Sequence, residues 1–136
     1  MKFLVTILIG AMLLVSSKIN AQKQTITATV ANVTSDKGTV MFALYDKTNF
    51  RMKPLQSEIG KIEGGKTTVV FNVAPGEYAI VCYHDSNGNK KMDFQTNGMP
   101  LEDFGASNNF MAFAPPTYEN AKFVVANKNV TLDIRF

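Results

Sequence analysis

The sequence is poor in the residues that build covalent or metal-held structure. Its 136 residues include one cysteine, one histidine and no tryptophan. Because Cys82 is alone, no disulfide can form within the chain, and stability must come from a hydrophobic core. One cysteine and one histidine also leave a zinc site short of the three or four ligands that it needs.

The N-terminal residues have the three-part pattern of a secretory signal peptide. Lys2 gives a positive start, residues 3–15 are almost wholly apolar, and a polar stretch with the small residue Ala21 follows. The apolar run is shorter than the roughly 20 residues of a membrane-spanning helix. We therefore expect residues 1–21 to be a signal peptide, and residues 22–136 to be one periplasmic or secreted domain without a membrane span.

The sequence also lacks a large excess of charge of either sign. Two of the 14 basic residues, Lys2 and Lys18, lie in the leader, which leaves 12 against 11 acidic residues. A net charge this small gives no reason to expect nucleic acid or an anionic membrane as a partner.

The rest of the chain has the alternating pattern of half-buried strands. Ile26, Ala28 and Val30 alternate with threonines in "TITATV", and similar runs are "GTVMFALYD", "KTTVVFNV", "GEYAIVCYH", "AKFVV" and "NVTLDIRF". Turn residues separate the runs, and "TYENAKF" is long enough for one short turn of helix. We predict an all-β fold, a single antiparallel β-sandwich of six or seven strands, either transthyretin (prealbumin)-like or immunoglobulin-like.

One region interrupts this rhythm. Residues 85–120 show little strand pattern and are rich in Asn, Gly, Pro, Phe and Met. Loops longer than about 15 residues without secondary structure are uncommon and tend to be functional. The sequence therefore predicts one long loop after the central strand, and the functional site within it.

The start of this loop has the spacing of an EF-hand-type calcium loop. The predicted ligands are the side chains of Asp85, Asn87, Asn89 and Asp93, the carbonyl of Lys91, and Glu102 if it folds back. Lys90 and Thr96 stand where the pattern needs Gly and a bidentate Glu, so we expect at most weak Ca²⁺ binding. An Asx-rich turn without an ion is the alternative, and the sequence leaves both open.

The whole stretch "YHDSNGNKKMDFQTNGMPLEDFGASNN" resembles the DUF2141 family, bacterial exported proteins of unassigned function. The resemblance is carried by a strand that ends in His-Asp, followed by Asn-x-Asn, Asp, Gly-x-Pro-x-Glu and Gly-x-Ser-Asn. It extends over essentially the whole domain and implies a transthyretin-like sandwich. It departs at Lys90, where the family usually has Gly, and it implies no activity.

Other candidate sites have weaker patterns. Cys82 and His84 share one strand face, but a thiol in mid-strand is usually buried and inert. Ser107 lacks the sequence of a nucleophile elbow, so a triad with His84 and Asp85 is not expected. An aromatic strip at residues 110–118, "FMAFAPPTY", is suited either to gripping a ligand or to plugging one end of the sandwich.

We therefore expect a binding or accessory module rather than an enzyme, with a weak structural Ca²⁺ loop at residues 85–96. The alternative is a carbohydrate- or peptide-binding module that uses residues 110–118 without a metal. A glycan or protein of the cell envelope is the expected kind of partner.

Overall fold

A computed structural model describes residues 22–110 and 114–136, which form two packed β-sheets. The three-stranded sheet has the order β4-β1-β8, and the larger sheet has the order β3-β2-β5-β6, with β7 also paired to β5. The strands are β1 (Gln24–Val30), β2 (Thr39–Tyr45), β3 (Gln56–Lys61), β4 (Thr67–Val73), β5 (Gly76–Asp85), β6 (Phe104–Ala106), β7 (Phe123–Val125) and β8 (Val130–Ile134). A 3₁₀ turn (Ser107–Asn109) and a short helix α1 (Tyr118–Ala121) lie between β6 and β7.

The core lies between the two sheets and is built by the alternation seen in the sequence. Every second residue of β1, β2 and β4 is buried, and the residues between them are partly or fully exposed. Burying a side chain such as Phe42 or Phe71 contributes about 1.5–3 kcal/mol, so this layer dominates the stability. The largest fully buried apolar side chains are Phe42, Phe71, Ile26, Leu44, Ile80 and Ile134. The predicted all-β sandwich is confirmed.

Some details differ from the sequence-based expectation. β1 and β8 run parallel, with Ala28 opposite Leu132, while the other strand pairs are antiparallel. β3 was not predicted, because only Gly60 in it is buried and the rest is polar or exposed. β6 lies inside the predicted loop and is only three residues long. The predicted turn of helix is confirmed as α1.

The long excursion after β5 is tied back to the sandwich by three consecutive polar residues. The Ser107 hydroxyl is fully buried, accepts a hydrogen bond from Ile80 N (3.0 Å) and donates one to the Ala121 carbonyl. The Asn108 amide donates to the carbonyls of Asn120 and Lys122 at 3.1 and 2.7 Å.

Asn109 continues this attachment on the other sheet. Its amide donates to the Asp133 carbonyl (2.7 Å) and accepts from Arg135 N (2.8 Å). Asn108 and Asn109 have φ of 69° and 52°, a left-handed conformation that asparagine tolerates better than most residues. These residues therefore hold α1 and β8 against the excursion.

Candidate functional site

The candidate site begins where β5 ends. Asp85 is the last residue of β5 and is 1% exposed. Gly38 packs against its backbone so closely that a Cβ there would lie 2.1 Å from the Asp85 carbonyl oxygen. One carboxylate oxygen, Oδ2, accepts a hydrogen bond from Lys90 N at 2.9 Å. The other, Oδ1, is buried and has no hydrogen-bond partner among the described residues.

The loop after Asp85 is a chain of Asx turns. Asn87 Oδ1 accepts from Asn89 N (3.2 Å), and Asn89 Oδ1 accepts from Lys91 N (2.9 Å). Lys90 has φ of 61°, the left-handed conformation that the Gly of a calcium loop would adopt without strain. The loop therefore makes its sharp turn at the sixth position, although a lysine stands there.

Asp93 closes the loop from the opposite side. Its carboxylate accepts from the amide nitrogen of Asn87 at 2.7 Å and from that of Asn89 at 2.9 Å. These two hydrogen bonds are the main reason why the pKa of Asp93 is lowered, with a smaller contribution from the charge of Lys91. Asp93 is therefore a carboxylate at neutral pH, in direct contact with both asparagines.

Glu102 folds back onto the loop. A narrow hairpin brings it there, in which Leu101 N donates to the Asp93 carbonyl at 2.9 Å. Glu102 Oε2 accepts weakly from Asp93 N at 3.4 Å, and Oε1 is buried without a hydrogen-bond partner in the described chain. Burial raises the pKa of Glu102, and the charges of Asp93 and Asp85 raise it further. Asp103 takes another direction, since its carboxylate accepts from Thr34 Oγ1 at 3.1 Å.

The predicted ligands thus lie around one loop, but they are not arranged as a cage of carboxylates. Within residues 22–110 and 114–136, no group of three or more His, Cys, Asp or Glu side chains could hold a metal ion by itself. A cation here would also need the amide oxygens of Asn87 and Asn89 and the carbonyl of Lys91. In this structure the two amides direct nitrogen, not oxygen, at Asp93.

Cys82, His84 and Ser107 are held in structural positions. Cys82 is fully buried, as predicted, and burial raises the pKa of its thiol far above the usual range. The His84 ring donates from Nε2 to the Lys37 carbonyl (2.7 Å), and its backbone N donates to the Asp103 carbonyl (2.8 Å). The Ser107 hydroxyl is engaged with the backbone of β5 and α1, as described above.

The aromatic strip at residues 110–118 divides into two parts, and its residues 111–113 lie outside the described residues. Tyr118 is buried and packs edge-on against Phe50, with ring centroids 5.7 Å apart. Phe110 is 58% exposed and lines an open cavity of about 320 Å³ beside β6. The predicted strip supplies Phe110, Pro115 and Pro116, and the sequence did not show that the cavity also has walls from β6, the carboxylates before it, and Arg135 and Phe136 near the C-terminus.

Comparison with known protein families shows to which family the chain belongs. The model of the family DUF2141, described as "Uncharacterized protein conserved in bacteria", matches residues 28–133. The chain belongs to the DUF2141 family. No curated protein and no solved structure matches it. In this DUF2141 chain, the described residues contain no helix with the length and apolar character needed to cross a membrane.

The structure divides the DUF2141 motif residues quoted above into two groups. Gly105, Ser107 and Asn108 are architectural: a Cβ on Gly105 would lie 2.5 Å from the Arg135 carbonyl oxygen, and the other two hold α1. The residues of the Asp85 loop and Glu102 include two buried carboxylate oxygens that have no hydrogen-bond partner among the described residues. The second group is therefore the candidate functional site.

Proposed function

We propose that this protein is an exported, non-catalytic β-sandwich module, a binding or accessory protein whose Asp85 loop holds a weakly bound structural Ca²⁺. The proposal is supported above all by Asp85 Oδ1, an oxygen of a buried carboxylate that has no partner among the described residues. A buried acceptor left in this state costs about 1–3 kcal/mol, and more when the group is charged. A cation would remove that cost.

The ligand chemistry suits a hard cation. Ca²⁺ takes 6–8 oxygens and accepts irregular geometry, which a loop of Asp, Asn and carbonyl groups can supply. Glu102 Oε1 is the second buried oxygen without a partner in the described residues. Glu102 would take the place of the missing bidentate Glu, since Thr96 occupies the twelfth position. The amides of Asn87 and Asn89 would turn so that their oxygens face the ion.

The charges of the loop suit weak binding. Asp85, Asp93 and Glu102 supply the negative charge, and the exposed Lys90 and Lys91 oppose it. Such a balance places the Kd near the extracellular range of about 10⁻⁴–10⁻³ M. The ion would join the end of β5 to Glu102, just before β6, and so hold the first part of the excursion against the sandwich.

Thermal unfolding tests the ion directly. An ion that binds only the folded state adds RT ln(1 + [Ca²⁺]/Kd), which is about 2 kcal/mol at roughly 10 mM Ca²⁺ for a Kd near 0.3 mM. The Tm should rise by several degrees, and Mg²⁺ should have less effect because it keeps its waters. Asp85→Ala should abolish the rise. Lys90→Gly should enlarge it, because the variant relaxes the turn and removes a cation.

The proposal fails if the Tm of both the natural protein and Lys90→Gly is indifferent to EDTA and to millimolar Ca²⁺. The loop would then be the Asx-rich turn that its hydrogen bonds already describe. Asp133→Ala is a matched control, because it removes one exposed carboxylate from β8, away from the loop.

Terbium luminescence gives an independent measurement. Tyr83 lies on β5 two residues before Asp85 and opposite Phe104, which follows Glu102 by two residues, so Tyr83 is near the proposed site. The charges of Asp85, Glu102 and Asp93 raise the pKa of Tyr83, after the larger effect of burial. The chain has no tryptophan, and Tyr83 should act as the sensitiser for bound Tb³⁺. Tyr83→Phe should remove the luminescence and keep the Ca²⁺-dependent rise in Tm. Luminescence that persists in this variant would place the ion elsewhere.

A second candidate function is supported by the cavity that Phe110 lines. A recess bordered by aromatic and proline side chains suits a carbohydrate or peptide and needs no metal.

The leader sequence supports export, since residues 1–21 have the pattern of a signal peptide. A binding partner would then be met in the cell envelope or outside the cell.

A further inference from the structure

The cavity beside β6 has an open strand edge as one of its walls. β6 (Phe104–Ala106) pairs with β5 and is the last strand of its sheet in that direction. All three β6 residues line the cavity and no described β5 residue does, so the cavity lies on the side of β6 that faces away from β5. In the described chain, the backbone groups of β6 have hydrogen-bond partners only in β5. Such an edge can pair with another extended segment.

The cavity walls are mainly apolar. At about 320 Å³, the cavity lies at the lower end of the range for small-ligand sites. It is large enough for a side chain or two, and too small for a folded partner. Its largest apolar side chains are those of Met99, Phe104, Phe110 and Phe136.

One cation at this cavity, Arg135, has no partner in the part of the chain that the structure describes. The Arg135 side chain forms no ion pair or hydrogen bond with the described residues, although it lines the cavity. Its backbone is held in place, because Arg135 N donates to Asn109 Oδ1 at 2.8 Å and its carbonyl lies against Gly105. A guanidinium group binds a carboxylate through paired hydrogen bonds, so this is the place for an anionic group.

Two other polar groups of the cavity are already engaged, and Glu102, whose Oε1 has no hydrogen-bond partner among the described residues, belongs to the proposed Ca²⁺ loop. The Asn109 amide bonds to the backbone of β8, and the Asp103 carboxylate accepts from Thr34. A sugar would need several free donors and acceptors, whereas the structure offers one cation and apolar walls. The carboxylates of Glu102 and Asp103 also line the cavity and disfavour a polyanion, so a single carboxylate at Arg135 suits the site better.

We propose that this cavity binds the C-terminal end of an extended peptide. The peptide backbone would pair with the free edge of β6, its last side chain, an apolar one, would enter the cavity, and its terminal carboxylate would bind Arg135. This rests on the second candidate function, the metal-free binding module, and names its ligand. Glu102 lines this cavity and is also a proposed Ca²⁺ ligand, but Arg135, Phe110 and β6 supply none of those ligands, so binding should persist in EDTA even if the ion proposal fails.

Fluorescence polarisation with defined peptides tests this on residues 22–136. The probes are fluorescein-labelled hexapeptides in which the last residue is varied, each made as a free acid and as a C-terminal amide. Free acids that end in Leu, Ile, Val or Phe should bind, and the matching amides should bind at least about 10-fold more weakly, as expected when a charge-assisted hydrogen bond is lost.

Three variants separate the parts of the proposed site. Arg135→Gln should remove the difference between acid and amide, while Lys128→Gln, an exposed cation in the turn before β8, should leave it unchanged. Phe110→Ser should reduce the preference for an apolar last residue and keep the difference between acid and amide. Phe110 and Arg135 are exposed, so both variants should fold, and an unchanged Tm checks this.

Three results would overturn the proposal. The first is equal binding of acid and amide to the natural protein. The second is an acid preference that survives Arg135→Gln. The third is an absence of peptide binding up to millimolar concentration. If a glycan array then shows binding that Phe110→Ser abolishes, the ligand of the cavity is a sugar.

Discussion

Replacing Asp85 by asparagine should raise the stability of the metal-free protein and lower that of the calcium-loaded one. In the absence of an ion, Oδ1 is a buried charged acceptor without a partner among the described residues, and its charge also raises the pKa of Glu102. Asparagine has nearly the same shape, and its oxygen can still accept from Lys90 N. The variant therefore keeps the observed hydrogen bond and removes the buried charge.

The size of the effect follows from the cost of an unsatisfied buried acceptor, about 1–3 kcal/mol, of which an amide in the same place recovers a part. We expect Asp85→Asn to gain about 1 kcal/mol in EDTA, which is about 4 °C in Tm for a domain of this size. In roughly 10 mM Ca²⁺ the natural protein gains about 2 kcal/mol and the variant gains nothing, so their order of stability reverses.

Urea unfolding followed by far-ultraviolet circular dichroism, with and without EDTA, measures both differences. Asp133→Asn is the control, since it removes one exposed carboxylate from β8 and should change stability by less than about 0.5 kcal/mol in either condition. A lower stability of Asp85→Asn in EDTA would show that the carboxylate is a necessary structural acceptor, and the reasoning from its unpartnered oxygen would be wrong.

Three further outcomes are expected. Cys82 should react slowly with thiol reagents in the native protein, because it is fully buried and its thiol stays protonated, and rapid labelling would contradict this burial. Cys82→Ala should lower the free energy of unfolding by roughly 1 kcal/mol. Burial and a 3.0 Å hydrogen bond to Glu77 raise the pKa of Tyr118 to about 12, so stability should fall as pH rises from 10.0 toward 12, and Tyr118→Phe should weaken this dependence in denaturation curves. The exported protein should begin at or near Gln22 by intact-mass analysis, and a leader retained on most molecules would refute the signal peptide.

Alternation of apolar and polar residues was enough to find the strands that face the core. It predicted β1, β2, β4, β5, β7 and β8, and the alternation is clearest in β1, β2 and β4, where every second residue is buried. β3 was missed because it lies at the edge of its sheet and buries only Gly60. The parallel pairing of β1 with β8 could not be predicted, since alternation says which face of a strand is buried and nothing about its neighbour's direction.

The candidate site was only partly visible in the sequence, for a similar reason. The spacing of Asp85, Asn87, Asn89 and Asp93 is local, so it could be read directly, and Glu102 was within reach of a loop that folds back. The cavity brings β6 and Phe110 together with Arg135, which lies 25 residues after Phe110 along the chain. The sequence indicated only the aromatic strip at residues 110–118, because nothing in it predicts that the fold places an exposed arginine beside that strip.

Backbone conformation gives a last reason to look for function in the excursion after β5. Of the four non-glycine residues with positive φ in the described chain, three lie there: Lys90, Asn108 and Asn109. The asparagines have an architectural reason, because their amides hold α1 and β8. Lys90 has no such role; its backbone N–H reaches the buried Asp85 carboxylate, and its side chain is exposed. The left-handed conformation of Lys90 costs about 1 kcal/mol, and the hydrogen bond that it allows goes to a carboxylate whose other oxygen has no partner among the described residues. Folding alone explains this cost poorly. It is well explained if the turn serves to keep that carboxylate in position for a ligand.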